Sequence, residues 1–322
     1  MTASTTLQVR VRATTYEAEG ILGFELTPQP PATELPVFTA GAHIDLHLDN
    51  SLVRSYSLLN DPRERHHYCI AVNKNAKSRG GSRYLHDSLR TGSVLTIGAP
   101  CNNFPLDETA PHNVFIAGGI GITPMLAMVA RSRTLGTPWT LYYSARTRQN
   151  AAFVAQAEAY AAESGGKLVL NFDQEPGGKV LDLNAIVQAL PAGAHVYCCG
   201  PIPMLEAYEQ ATASLPPERV HMEYFAAKDA AATDGGYTVE LRRSGKTLSM
   251  EAGQTILDAL IAVGSELPYS CREGICGACE VRVLEGTPDH RDLVLSQAEK
   301  LANDRMMVCC SGAKSSKLVL DL

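Results

Sequence analysis

The densest chemistry in the sequence lies near its C-terminal end, where Cys271, Cys276 and Cys279 are spaced C-x4-C-x2-C and Cys309 follows after 29 intervening residues. Thiolates are soft ligands, and three from one loop with a fourth from a distant one is the spacing of a plant-type [2Fe–2S] cluster. Gly274 and Gly277 fall inside the loop. A chain wrapped around an inorganic cluster must take unusual dihedrals and aim backbone N–H groups at sulfur, which glycine permits. A zinc site would more often show paired C-x2-C knuckles. Spacing alone leaves the fourth ligand open between Cys309 and Cys310; Cys309 is the favoured one, with Cys310 a small neighbour. Cys198 and Cys199 end a buried run, HVYCC, that has no partner pair, and Cys69 and Cys101 suit core positions.

A second set of residues suits nucleotide binding. Ala117-Gly118-Gly119-Ile120-Gly121-Ile122-Thr123-Pro124 follows an apolar run and precedes a helical pattern, so its glycines let the backbone approach a pyrophosphate at a helix N-terminus. The spacing is not G-x-G-x-x-G, and the loop alone is a weak signal. Cys199-Gly200-Pro201 closes another strand and opens another helix, either as a second ligand-facing edge or as a plain turn. Earlier, Arg54-Ser55-Tyr56-Ser57 and Arg79-Gly80-Gly81-Ser82 combine an arginine fork, glycine-backed N–H groups and an aromatic face. Together they suit a phosphorylated aromatic cofactor; singly, each reads equally well as a surface turn with an arginine laid along it.

These residues need positioning elements. At 322 residues the chain exceeds one ordinary core and predicts two or three domains. The first hundred residues show short alternating runs such as LQVRVRA and GAHIDLHL between turn residues, the pattern of an antiparallel barrel or sandwich. From Asn113, apolar runs alternate with Ala-rich amphipathic stretches, which predicts a parallel sheet with crossover helices. AAKDAAATDGG, from Ala226, reads as a linker, and YTVELRRSGKTLSMEAGQTILDALIAVG as a hairpin followed by a helix starting after Gln254.

Composition bounds the function. A hydrophobic fraction of 45% and a charged fraction of 19% are those of a soluble globular protein. Nine cysteines without a secretory h-region argue for metal or redox chemistry in a reducing compartment and against a disulfide framework. The longest apolar stretch, Val114 to Ala130, is broken by glycines and Pro124, so neither membrane anchor nor export is expected and the cytoplasm is the expected location. The net charge of −6 includes no dense basic face, which disfavours nucleic acid.

Taken together, Arg54-x-Tyr56-Ser57, Gly80-Gly81-Ser82, Gly118-Gly119-x-Gly121-x-Thr123-Pro124, Cys199-Gly200-Pro201 and the C-terminal cysteines resemble the phthalate dioxygenase reductase family, the single-chain reductases of Rieske-type oxygenases, which include vanillate O-demethylase reductases. The resemblance runs over nearly the whole chain, to the closing LVLDL. It implies a multidomain protein: an antiparallel β-barrel flavin domain (1–105), a doubly wound α/β nicotinamide domain (106–226), a linker (227–236) and an α+β plant-type ferredoxin domain (237–322).

The implied activity passes electrons from NADH through FMN to the [2Fe–2S] cluster and on to a separate Rieske-type oxygenase; oligomeric state is not legible in the sequence, although a carrier-like tail favours a monomer. The implied FMN positions are Arg54, Ser55, Tyr56, Ser57, Ala71, Val72, Lys74, Gly80, Gly81 and Ser82, and Phe225 matches the aromatic residue beside the flavin. Ser57 would lie near flavin N5, and Thr123 and Cys199 near the nicotinamide. The implied NADH positions continue through Gly118, Gly119, Gly121, Pro124, Ser144, Arg146, Gly200 and Pro201. The chain departs from the family in Ala226-Ala227 after Phe225 and in Thr147 after Arg146, while Arg146 and Arg148 together would suit a 2′-phosphate. Hydride transfer demands no general acid or base, so His43, His47, His66 and His67 are given no catalytic role. An FAD-dependent reductase serving a di-iron hydroxylase and a slow-turnover redox sensor are the alternative readings.

Overall fold

The computed structural model describes residues 6–48, 52–74 and 80–322. The chain divides into two compact units, Met1–Tyr224 and Phe225–Leu322. In the first unit, β1 (Thr6–Ala18), β2 (Ile21–Pro28), β3 (His43–His47), β4 (Val53–Ser57), β5 (Tyr68–Asn73) and β6 (Val94–Gly98) form an antiparallel sheet ordered β4-β3-β6-β1-β2-β5. Alternation decides which face is inside: Val9 and Val11 on β1, Ile44 and Leu46 on β3 and Phe24 and Leu26 on β2 share one core, while the intervening residues stay more accessible. Helix α1 (Gly81–Asp87) is tied to β5 by a 2.9 Å contact between His86 Nε2 and Val72 O.

The rest of this unit is a five-stranded sheet: β7 (Asn113–Gly118), β8 (Trp139–Ala145), β9 (Lys167–Phe172), β10 (His195–Cys199) and β11 (Val220–Glu223). All its pairs are parallel, in the order β11-β10-β7-β8-β9. The chain builds outward from β7 to β9, then returns to lay β10 on the other side of β7. The boundary between β7 and β10 is therefore the switch point, where the loops part and leave a crevice at the strands' carboxyl ends. Helices α2 (Ile122–Leu135), α3 (Val154–Ser164), α4 (Leu183–Gln188) and α5 (Ile202–Thr212) make the crossovers.

Barrel and parallel sheet share apolar packing. Ala18, Ile21, Ala40, Leu59, Ala71 and Phe104 belong to the same buried cluster as Phe115, Ile122, Met125 and Tyr197, and the rings of Phe104 and Tyr197 meet edge-on at 5.8 Å.

In the second unit, β12 (Thr238–Leu241), β13 (Lys246–Ser249), β14 (Glu280–Glu285), β16 (Arg305–Met307) and β18 (Lys317–Leu320) form a sheet ordered β13-β12-β18-β14-β16, while β15 (Pro288–Asp289) pairs with β17 (Gly312–Ala313). β12 and β13 are the expected hairpin. Helix α6 (Ile256–Ala262) follows, its start fixed by a reciprocal capping box between Thr255 and Asp258; α7 (Gln297–Ala302) is capped likewise by Ser296 and Glu299. Within 227–236, read from the sequence as a linker, Ala232 N donates to Cys310 O and Gly236 N to Met250 O.

Candidate functional site

On the barrel, Arg54, Ser55, Tyr56 and Ser57 lie on β4, paired with β3 in the register Asp45↔Ser55 and His43↔Ser57. Ser55 Oγ donates to Asp45 Oδ1 at 2.6 Å, and Ser57 is buried. Burial pushes the Tyr56 phenol above its usual range against the pull of nearby Arg54. The two halves of the expected flavin site meet through Arg54: a Cβ on Gly81 would fall 2.7 Å from Arg54 Cγ and 3.0 Å from Nε. The guanidinium therefore crosses the first residue of α1, while Gly80, with φ +101°, turns the chain into the helix. Ser82 lies in the first turn of α1. The side chains of Ala71 and Val72 are buried, which leaves only their backbone to meet a cofactor. Lys74 Nζ pairs with Asp87 at 2.6 Å, and Arg79 lies outside the described residues.

The strand β5 abuts the Gly119–Gly121 turn, so barrel and nucleotide crevice adjoin. There the glycines are sterically required. A Cβ on Gly121 would lie 2.1 Å from Cys199 O, and one on Gly118 would lie 2.7 Å from Pro201 Cδ. A Cβ on Gly200 would lie 2.8 Å from Met204 Sδ. Gly119 has φ +54°, a left-handed conformation that favours glycine. Thr123 Oγ1 donates to Ile120 O at 3.0 Å and steadies the turn before α2, and Pro124 sits in the first turn of that helix, where it removes no helical hydrogen bond. Bare backbone, a helix N-terminus and a switch point thus converge, a geometry suited to a pyrophosphate.

At the carboxyl end of β8, Ser144 Oγ accepts from Asn171 Nδ2 at 3.2 Å, and Arg146 is exposed. Arg148 is engaged elsewhere: its N–H donates to Glu175 at 2.7 Å and its guanidinium pairs with Glu158 at 3.3 Å.

Sequence reasoning missed Glu223. It is the register partner of Cys199 on the neighbouring parallel strand, and its Oε2 is shut off from solvent with no hydrogen-bond partner among the described residues. Although part of the residue remains accessible, burial of the carboxyl pushes its pKa up to about 8. Cys199 is raised well above its ordinary value by its own burial and by Glu223. A lone glutamate in a strand reads as an outward position, so only its buried surroundings reveal it. Phe225, which opens the second unit, is 38% exposed.

In the second unit Cys271, Cys276, Cys279 and Cys309 are all buried, and no described cysteine is in a disulfide. The Cys271 thiol is in hydrogen-bonding contact with Cys276 and Cys309; the first contact favours its ionisation, but the second, with burial, holds it up at about 11. Glu273 N donates to Cys271 Sγ at 3.3 Å. Arg272, Gly274 and Gly277 have positive φ, between 57° and 77°, and a Cβ on Gly274 would lie 2.4 Å from Cys310 Sγ. Cys310 itself is in contact with Cys309 as well as with Met307 O and Ser311 Oγ. Among the described residues no three His, Cys, Asp or Glu side chains converge on a single-ion position. Four soft thiols around a loop whose N–H groups turn toward sulfur are nevertheless the donor set a two-iron cluster takes.

A cavity of about 720 Å³ elsewhere in the first unit, lined by residues such as Glu17, Glu25, Phe153 and Tyr160, includes none of the expected site residues.

Comparison with known proteins decides the family. Residues 239–314 match the 2Fe-2S iron-sulfur cluster binding domain, and residues 115–210 the oxidoreductase NAD-binding domain. The chain is 54% identical over 325 residues to the phenoxybenzoate dioxygenase subunit beta of Ectopseudomonas oleovorans, covering 100% of both. It is 49% identical to the tetrachlorobenzoquinone reductase of Sphingobium chlorophenolicum, covering 98% of both. The solved structure of phthalate dioxygenase reductase matches 98% of each chain with a TM-score of 0.74 and 37% identity. The chain belongs to the phthalate dioxygenase reductase family. This reductase is an NADH-dependent oxidoreductase whose cofactors are FMN and a [2Fe–2S] cluster. No helix among its described residues is long and apolar enough to cross a membrane.

Proposed function

We propose that this reductase feeds electrons from NADH to a separate Rieske-type oxygenase of an aromatic dioxygenase or O-demethylase system, as a cytoplasmic monomer. Support comes from the match over its whole length to a dioxygenase subunit. The observation that carries the reading is the pairing, in one chain, of a glycine-cradled switch point with a buried C-x4-C-x2-C loop. Bound FMN supplies what neither end can do alone, taking two electrons together as a hydride and giving them up singly.

The chain's own residues bind and orient. In this reading Arg54 and the N–H groups of Gly81 and Ser82 hold the FMN phosphate, Tyr56 covers the ring, and Ser57 stands near its reactive edge. Lys74 and the backbone of Ala71 and Val72 complete that wall. Gly118, Gly119, Gly121, Thr123 and Pro124 receive the NADH pyrophosphate, and Cys199, Gly200 and Pro201 border the nicotinamide. The buried Glu223 carboxyl keeps a proton near neutral pH beside Cys199. Ser144 and Arg146 face the adenosine, and the pairing of the Arg148 guanidinium with Glu158 supports NADH over NADPH. Cys271, Cys276, Cys279 and Cys309 ligate the cluster. The functional division is 1–105 for FMN, 106–226 for NADH, 227–236 as connector and 237–322 for the cluster.

One observation favours a second outlet. The likeness to a tetrachlorobenzoquinone reductase suggests that a quinone also serves as acceptor. Flavin released from the purified protein and identified by chromatography tests the cofactor assignment, and FAD in place of FMN would overturn it. NADH-driven reduction of cytochrome c and of a benzoquinone by Cys276→Ser, compared with wild type, tests the route. Unchanged cytochrome c reduction would exclude the cluster as its path.

A further inference from the structure

Besides Ser270 Oγ next to Cys271, three polar atoms of the second unit are unsatisfied among the described residues. Nδ1 and Nε2 of His290 and Oδ1 of Asp292 are shut off from solvent and have no hydrogen-bond partner among the described residues. The Asp292 side chain has 0% exposure. Its other oxygen, Oδ2, accepts from Val294 N at 3.2 Å and from Leu295 N at 2.8 Å, which locks the carboxylate in one orientation. Counter-charge is incomplete. Lys300 Nζ donates to the Asp292 carbonyl at 2.6 Å but stands 4.0 Å from Oδ2, and His290 Nδ1 lies 3.6 Å from Oδ1, beyond a good hydrogen bond.

The backbone that carries this carboxylate is built against the loop. Leu293 N donates to Gly274 O at 2.9 Å, and a Cβ on Gly274 would lie 3.0 Å from Asp292 Cα. Gly274 is midway between Cys271 and Cys276. A fixed negative charge in a poorly screened interior opposes the arrival of further negative charge close by, and charge near an iron–sulfur centre is one of the determinants of its potential. A structural need alone would be met by asparagine, whose amide oxygen can accept the same two N–H groups.

We propose that Asp292 is a potential-setting residue that lowers the reduction potential of the [2Fe–2S] centre, with Lys300 as the opposing charge. The inference rests on the assignment of the cluster to Cys271, Cys276, Cys279 and Cys309. Iron and labile sulfide in the wild-type protein report on that assignment separately.

The test is a potentiometric titration of the full chain at fixed pH, followed by the electron paramagnetic resonance signal of the reduced cluster, for wild type, Asp292→Asn and Lys300→Met. The expected result is a midpoint shifted upward in Asp292→Asn and not upward in Lys300→Met, with the flavin couple unmoved in both. Three results would overturn it: an iron-loaded Asp292→Asn whose midpoint is unchanged or lower, upward shifts in both variants, or loss of iron from Asp292→Asn. The last would make Asp292 a prop for the loop.

Discussion

Cys199 and Glu223 face each other as register partners on β10 and β11, a thiol and a carboxyl both held in their neutral forms near pH 7 by burial. They stand at the carboxyl edge of the sheet, and Cys199 lies against the Gly121 turn. At this edge of the sheet the two side chains thus present a thiol and a carboxyl without charge.

For Glu223 the carboxyl's folded pKa of about 8 lies above the ordinary 4.5, so between these values the folded state holds a proton that the unfolded chain gives up. Stability therefore falls as pH rises through that window. Glu223→Gln removes the titration. Thermal melts from pH 5 to pH 9 should show the wild type losing ~1–3 kcal/mol more than the variant; parallel pH profiles would show that the carboxyl is not so buried.

Arg54 and Gly81 predict a matched pair of flavin defects. Arg54→Ala deletes a charge-assisted contact worth about 1.5–3 kcal/mol, or roughly 10- to 150-fold in FMN affinity. Gly81→Ala should weaken FMN as well, because its methyl would displace the Arg54 side chain. Quenching of FMN fluorescence on titration with apoprotein measures both, and full affinity in Arg54→Ala would remove that residue from the phosphate site.

The glycines of the nucleotide turn separate by mechanism. Gly121→Ala drives a methyl into the Cys199 carbonyl and should cost at least ~1–3 kcal/mol of stability with a several-fold rise in KM for NADH. Gly119 has open space and only its positive φ, so Gly119→Ala should cost about 1–2 kcal/mol. Melting temperatures and NADH saturation curves distinguish them.

Cys309 and Cys310 should behave oppositely. Cys309→Ser, which removes the sulfur beside Cys271, should abolish the visible iron–sulfur absorbance and most cytochrome c reduction. Cys310→Ser should retain iron, since a serine hydroxyl there can keep the contacts with Met307 O and Ser311 and four thiols remain. The iron content of the two purified variants decides it.

What the sequence made legible were features carried by local spacing: the cysteine triplet, the glycine turn, and the change from alternating to buried runs at Asn113. The helix after Gln254 was visible because its capping residues, Thr255 and Asp258, adjoin it in sequence. Arg54 lying across Gly81, and Glu223 buried beside Cys199, depend on strand order and burial, which no local pattern reports. Arg148 read as a candidate phosphate ligand because its partners, Glu158 and Glu175, come from α3 and the loop after β9. The buried His290 and Asp292 sit in a short polar stretch that reads as loop.

The apolar cluster running from Ala18 and Ala71 through Phe104 to Phe115 and Tyr197 has a consequence for how this chain can be cut. Residue 105 marks a change of texture without a seam in the packing: scissors applied there would leave two greasy, mutually dependent halves. Tyr224 is the natural place for the blade. A gene ending at that codon should yield a soluble yellow protein that still oxidises NADH when given ferricyanide.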